Sequence, residues 1–254
     1  MKCVLYGNCQ MNVYKSYLLQ HYPTMEITLL TNYLMIANEE PIPYELLSTA
    51  DIFIYQHINN KSYHPSFFLD HLRTECKTVK IQSIYFELYF PDNVKSEVLL
   101  SHIYSSSPDF PFGIISYGHS KIEEGNNSYS NNELSDLYDV FTKRLKTENE
   151  FDTKIYEFIN NNFNKKRLFY SIDHPSNEIL QKMMNQISTL LCLDTVDDGL
   201  FWQQDYMNTY VDYIHDDIYK YFNLQFDNGY TICHDNIKRN DAEFVSFYKE
   251  KIMK

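Results

Sequence analysis

The opening of the chain constrains its fold more than any other stretch. Cys3-Val4-Leu5-Tyr6 is an unbroken apolar run that stops at Gly7-Asn8-Cys9-Gln10 and gives way at once to Met11, Tyr14, Leu18 and His21 at helical spacing, with Pro23 closing the segment. A short continuous apolar run fits a strand buried on both faces, as parallel sheets require. A strand that ends on glycine, presents a polar tetrad and restarts as a helix is the repeating unit of open α/β sheets. Such sheets bind ligands beyond the carboxyl ends of their strands.

Further runs extend this reading. Glu26 to Leu30, Ile52 to Tyr55, Val79 to Ser83 and Leu168 to Ile172 have strand character. Tyr44 to Ser48, Pro65 to Arg73 (capped by Ser66), Asn132 to Lys146 and Phe151 to Phe163 read as helices. So do the periodic sets Ile179, Met183, Ile187, Leu190; Ile214, Ile218, Phe222; and Phe244, Phe247, Tyr248. The aromatic stretch Tyr85 to Asp92 has no period and reads as a packed loop over the site. The expected fold is α/β: a Rossmann-like three-layer sandwich with a mostly parallel central sheet and helical additions. It forms a single domain over residues 1–254, mainly helical at its C-terminal end. Ser, Pro, Gly and Asn dominate around residues 105–132, where an irregular lid or insertion is expected.

Composition excludes several classes. With 22 basic against 34 acidic residues the formal charge is −12, so sequence-independent nucleic-acid binding is not expected, and an anionic ligand must be held by local donors. Five widely spaced cysteines without a Cys-x-x-Cys pair argue against a disulfide framework or structural zinc and suit a reducing, cytoplasmic setting. No leader and no apolar stretch approaching the ~20 residues of a membrane span is apparent. Walker, Gly-x-Gly-x-x-Gly, His-Glu-x-x-His and Asp-x-Asp patterns are absent and no metal is expected. His215-Asp216-Asp217 reads as a solvated helix edge. The abundance of aromatics, 23 Tyr and 17 Phe, permits a carbohydrate-binding surface. Association into a homo-oligomer is neither required nor excluded.

Candidate chemistry gathers at three strand ends. Cys9, beside a helix N-terminus, is the candidate nucleophile, because the local dipole favours a thiolate. His57, after the third strand, and His174, after Asp173 and before Pro175, are alternative bases. Asn8, Gln10 and Gln56 carry amides that can donate to a developing oxyanion without titrating. Lys165-Lys166-Arg167 is the one compact basic cluster.

Gly7-Asn8-Cys9-Gln10, Asp51 with Gln56-His57, Tyr89-Phe90-Pro91-Asp92 and Asp173-His174-Pro175-Ser176-Asn177 together resemble the WcbI-like polysaccharide-biosynthesis acetyltransferase family, over about the first four-fifths of the chain. The resemblance implies coenzyme A binding and O-acetylation of a capsular sugar or glycan precursor, with acetyl-coenzyme A as co-substrate. It implies an α/β fold related to the Ser-Gly-Asn-His hydrolases, with Cys9 and His174 in the roles of their serine and histidine. Lys165, Lys166 and Arg167 would meet the coenzyme A phosphates, and Gly7 would also belong to the cofactor site. Those hydrolases carry an aspartate three residues before the histidine, where this chain has Ser171; Asp173 stands directly before His174. An esterase or deacetylase on the same scaffold, and a non-catalytic carbohydrate-binding component of a glycan locus, are the alternatives.

Overall fold

The computed structural model describes residues 1–91, 93–95, 117–119, 128–194, 199–208, 211–227, 231–232 and 237–251. It comprises two compact units: Met1–Ile84 with Thr147–Tyr156 and Asn177–Tyr206, and Tyr85–Lys146 with Glu157–Ser176 and Met207–Lys254.

The first unit is built on Lys2–Gly7 (β1), Gln10–His21 (α1), Glu26–Thr31 (β2), Asn32–Ala37 (α2), Tyr44–Ser48 (α3), Ile52–Gln56 (β3), Ser66–Leu69 (α4) and Lys77–Ile81 (β4). All its strand pairs are parallel, in the order β2-β1-β3-β4. Alternate residues of a strand face opposite sides. Val4, Tyr6, Phe53 and Tyr55 pack with Met35, Leu47 and Phe68 of α2, α3 and α4, and the Tyr6 and Phe68 rings stack at 4.1 Å. Helix α1 covers β1 and β2 and meets a later helix that also packs on β4. Helices on two faces of a parallel sheet give the expected three-layer α/β sandwich. The sequence places the first three strands and α1 within a residue or two, because buried parallel strands are uninterrupted apolar runs. The segment expected to be helical from Pro65 to Arg73 is helical only over Ser66–Leu69.

Beyond the sheet the chain runs through Asn93–Lys95 (β5) and Tyr117–His119 (β6), which pair antiparallel, then Asn131–Thr147 (α5) and Tyr156–Asn162 (α6). The expected lid around residues 105–132 lies mostly outside the described residues. The helix expected from Phe151 begins only at Tyr156, since Glu148–Glu150 form a short 3-10 turn and the following backbone makes side-chain-directed bonds.

Phe169–Ser171 (β7) does not extend the parallel sheet. It turns at Ile172 and Asp173 and pairs antiparallel with His174–Pro175 (β8), with a register irregularity. A five-residue apolar run says nothing about its pairing direction, and here a polar turn reverses the chain. Asn177–Leu191 (α7) follows, burying Ile179, Met183, Ile187 and Leu191, while Leu190 is 47% exposed. The stripe thus closes one residue later than expected. The second unit ends in Asp216–Tyr221 (α8), Thr231–Ile232 (β9), Lys238–Arg239 (β10) and Asp241–Lys251 (α9). Its interior is aromatic: Phe86 stacks on Phe169 at 4.7 Å and meets Phe141 edge-on at 5.3 Å, and Leu88, Tyr89 and Phe90 are buried. Many of the phenylalanines are therefore core.

Candidate functional site

Order β2-β1-β3-β4 places the reversal of the sheet's winding between β1 and β3, where open α/β sheets form their crevice. Gly7, Asn8, Cys9 and Gln10 leave β1 there, and Gln56 and His57 leave β3.

Gly7 is required by close approach. A Cβ at this position would fall inside the Gln56 carboxamide, 2.9 Å from Cδ, and 2.7 Å from Met11 Cγ. The contact brings the Asn8 backbone N–H to Gln56 Oε1, to which it donates at 2.7 Å. Asn8 Oδ1 in turn accepts from the Gln10 N–H at 3.0 Å, filling one of the acceptor positions that the first turn of α1 requires. Asn8 is 7% exposed, and its Nδ2 is a buried donor without a partner. Such a group costs stability, and native proteins retain few of them.

The other two amides turn inward. Gln10 Nε2 donates to the Ile84 carbonyl at 2.7 Å, and Gln10 Oε1 accepts from the Ile84 N–H at 3.2 Å and from Gln56 Nε2 at 3.2 Å. Gln56 Nε2 also donates to the Gln82 carbonyl at 3.4 Å. Both side chains are fully buried.

Cys9 occupies the N-cap position of the 12-residue α1 and is half-buried, and its carbonyl accepts from the Asn12 N–H at 3.1 Å. Cys3, on β1, is a different kind of thiol: burial, reinforced by Cys76, pushes its pKa up to about 12. His57 is exposed and its ring lies edge-on to His64 at 5.3 Å. Desolvation lowers the His57 pKa, as do Lys80 and His64, against the opposing pull of Glu150.

Asp173 and His174 belong to the second unit, on the β7–β8 hairpin. His174 Nε2 stands 3.9 Å from Asp173 Oδ1, and its Nδ1 is buried without a hydrogen-bond partner. The buried Ser171 hydroxyl donates to Asp173 Oδ1 at 3.0 Å. The residue three before the histidine thus reaches the aspartate that stands next to it.

The basic cluster is divided. Lys165 is exposed and donates to the Asn161 carbonyl at 2.8 Å, and the Lys166 ammonium lies 5.4 Å over the Phe158 ring. Arg167 points inward, donating to the Phe169 carbonyl at 3.2 Å and the Asp212 carbonyl at 2.6 Å, and burial lowers its pKa from the usual arginine value.

Two motif residues are structural. Asp51 accepts from the Lys2 N–H at 2.6 Å and pairs with Arg73. The Tyr89 hydroxyl donates to the Phe163 carbonyl, and burial raises its pKa; Asp92 lies outside the described residues. His215 caps α8, its Nδ1 accepting from the Asp217 N–H at 3.2 Å, beside a cavity of 260 Å³ lined by Tyr213, His215, Asp216, Asp217, Lys220 and Val245.

Sequence reasoning missed Gln82, Glu148 and Thr153. All three are buried, and Gln82 bonds to both Glu148 and Thr153 across 66 to 71 residues of chain, which no local pattern announces.

A family model described as polysaccharide biosynthesis enzyme WcbI matches residues 2–195. A solved structure of WcbI, described as a novel polysaccharide biosynthesis enzyme and as native protein without a disulfide bond between coenzyme A and a cysteine, superposes with a TM-score of 0.59. It is 17% identical, and the match covers 87% of this chain and 79% of that one, a likeness of fold. No curated protein sequence matches. Among the described residues no helix is long and apolar enough to cross a membrane.

Proposed function

The chain belongs to the WcbI family of polysaccharide biosynthesis enzymes, and from that premise we propose that it is a coenzyme A-dependent O-acetyltransferase acting on a sugar or glycan precursor of a surface polysaccharide. The observation that carries this reading is Asn8 Nδ2, a buried amide donor without a partner, one residue from a thiol at the switch point of the sheet. A donor kept unsatisfied in the resting protein is suited to an oxygen that becomes negative only during reaction. The description of the solved WcbI structure names coenzyme A, which supports coenzyme A as the ligand.

In this mechanism His174 takes the Cys9 proton and Sγ attacks the thioester carbonyl of acetyl-coenzyme A. The carbonyl π electrons move to oxygen, where Asn8 Nδ2 donates to the oxyanion. Collapse breaks the bond to the coenzyme A sulfur, which leaves with the proton from His174 and gives acetyl-Cys9. A sugar hydroxyl then yields its proton to His174 and attacks acetyl-Cys9; the Cys9 sulfur leaves and is reprotonated. His174 is assigned the base role over His57 because its ring has a buried nitrogen without a partner and an aspartate beside it. Lys165 and Lys166, rather than the inward Arg167, are assigned to the coenzyme A phosphates.

Incubation with acetyl-coenzyme A followed by intact-protein mass spectrometry tests the reading. An acetyl adduct on Cys9 that is discharged by an acceptor sugar, together with a raised melting temperature in coenzyme A, is the expected result. Transfer undiminished in Cys9→Ala would remove the covalent step. Acetate release from an acetylated sugar without coenzyme A would make the protein an esterase instead.

A further inference from the structure

Resting on the acyl-transfer reading above, we infer that Gln82, Thr153 and Glu148 are positioning residues that hold the Asn8 donor in place through Gln56. Gln56 has its orientation dictated at both ends. The Asn8 N–H needs an acceptor and receives Oε1 at 2.7 Å, while the Gln82 carbonyl needs a donor and receives Nε2 at 3.4 Å. The Asn8 backbone is therefore placed by Gln56, and Gln56 by the Gln82 carbonyl together with Gln10 Oε1, which also accepts from Nε2, at 3.2 Å.

Gln82 lies one residue beyond β4, where the sheet no longer fixes its backbone. Its side chain supplies that constraint. Nε2 donates to the Thr153 carbonyl at 2.6 Å and to Glu148 Oε1 at 3.4 Å, and Oε1 accepts from the Thr153 hydroxyl at 2.6 Å. Glu148 Oε1 is itself pinned by the N–H groups of Ile155 and Tyr156. Gln82, Thr153 and Glu148 are 1%, 0% and 7% exposed, so the chain of bonds runs without access to bulk water, where each bond is strengthened and each missing partner costs more. The segment 147–156 thereby acts as a brace for the tetrad.

The test uses the full chain with ¹⁵N labelling. Gln82→Met keeps the length of the side chain and removes its three bonds, Thr153→Val removes the hydroxyl, and Thr153→Ser retains it. The expected result is a shift of the Asn8 backbone and Nδ2H₂ resonances in Gln82→Met and Thr153→Val, with Thr153→Ser close to wild type. A loss of kcat of about tenfold to a hundredfold accompanies those shifts, as misplacement of a reacting group by ~1 Å produces. KM for acetyl-coenzyme A stays within about twofold, since uniform binding is untouched. Unmoved Asn8 resonances in folded Gln82→Met, or equal behaviour of Thr153→Val and Thr153→Ser, would overturn the inference. Should Gln82→Met not fold, the Thr153 pair decides. A wild-type protein that transfers no acetyl group counts against the proposed function alone, because the resonances still decide the brace.

Discussion

Replacing Gly7 by alanine should damage the protein out of proportion to one methyl group. The added Cβ would be 2.9 Å from Gln56 Cδ and 2.7 Å from Met11 Cγ, both in fully buried side chains. A clash with the end of a long side chain is ordinarily relieved by a rotation. Here Gln56 is bound to Asn8, Gln10 and the Gln82 carbonyl, so moving it breaks the bonds that define the turn. Overpacking of a tight core costs about 1–3 kcal/mol. Leaving the Asn8 N–H without its acceptor adds about 1–3 kcal/mol. The sum, about 2–6 kcal/mol, is a large share of the roughly 5–15 kcal/mol that holds a domain folded. Urea denaturation of Gly7→Ala, Gln56→Ser and the double variant measures it. Because Gln56→Ser vacates the space, the two substitutions should be strongly non-additive, with a coupling above about 1 kcal/mol in favour of the double variant. A Gly7→Ala stability within about 0.5 kcal/mol of wild type, or additive effects, would refute the close-approach argument.

Three further outcomes are expected. Asn8→Ala should lower kcat for acetyl transfer by about a hundredfold to a thousandfold, while its stability loss, measured by denaturation, stays near the ~1 kcal/mol of one lost hydrogen bond. Iodoacetamide at pH 8, followed by peptide mapping, should label Cys9 well before Cys3, whose thiol is pushed up to about 12 by burial. The Asp51 carboxyl is held below its ordinary value chiefly by the bond from the Lys2 N–H, with Arg73 assisting. A depressed carboxylate stabilises the fold above its unfolded pKa, and that contribution is lost as pH falls through the folded pKa. Melting temperature recorded from neutral pH into the acid range should therefore fall less steeply in Asp51→Asn than in wild type.

The parallel sheet and the tetrad were legible because both depend on local order: an apolar run, a glycine, then a 3.6-residue stripe. Pairing direction was not, and Leu168–Ile172 was expected at a third polar strand end because its residues carry no mark of the reversal at Asp173. Leu190 and Leu191 differ in burial by one step of the helix, 47% against 4%, where an apolar pair leaves the register undecided. At the site the amide side chains are plain from the sequence, but the direction of an amide is set by partners remote along the chain. Gln10 finds its partner at Ile84, and Arg167 reaches Asp212; composition showed only a polar residue and a basic cluster.

The brace also bears on how the protein is made. Its first unit draws on three separate stretches of chain, residues 1–84, 147–156 and 177–206. At ~5–20 residues per second a ribosome needs roughly 3–12 s between Ile84 and Thr147. During that interval the four strands of the sheet have been synthesised, but Gln82 lacks Thr153 and Glu148, and α1 lacks the helix that packs beside it. The nascent sheet thus carries a hydrophobic face and a polar centre that only later residues can cover, and high contact order of this kind slows folding. Maturation of the tetrad consequently waits for the synthesis of residues 147–156. An N-terminal fragment ending at Ile84 should bind chaperones rather than fold, whereas one extending through Tyr206 contains every segment of the unit.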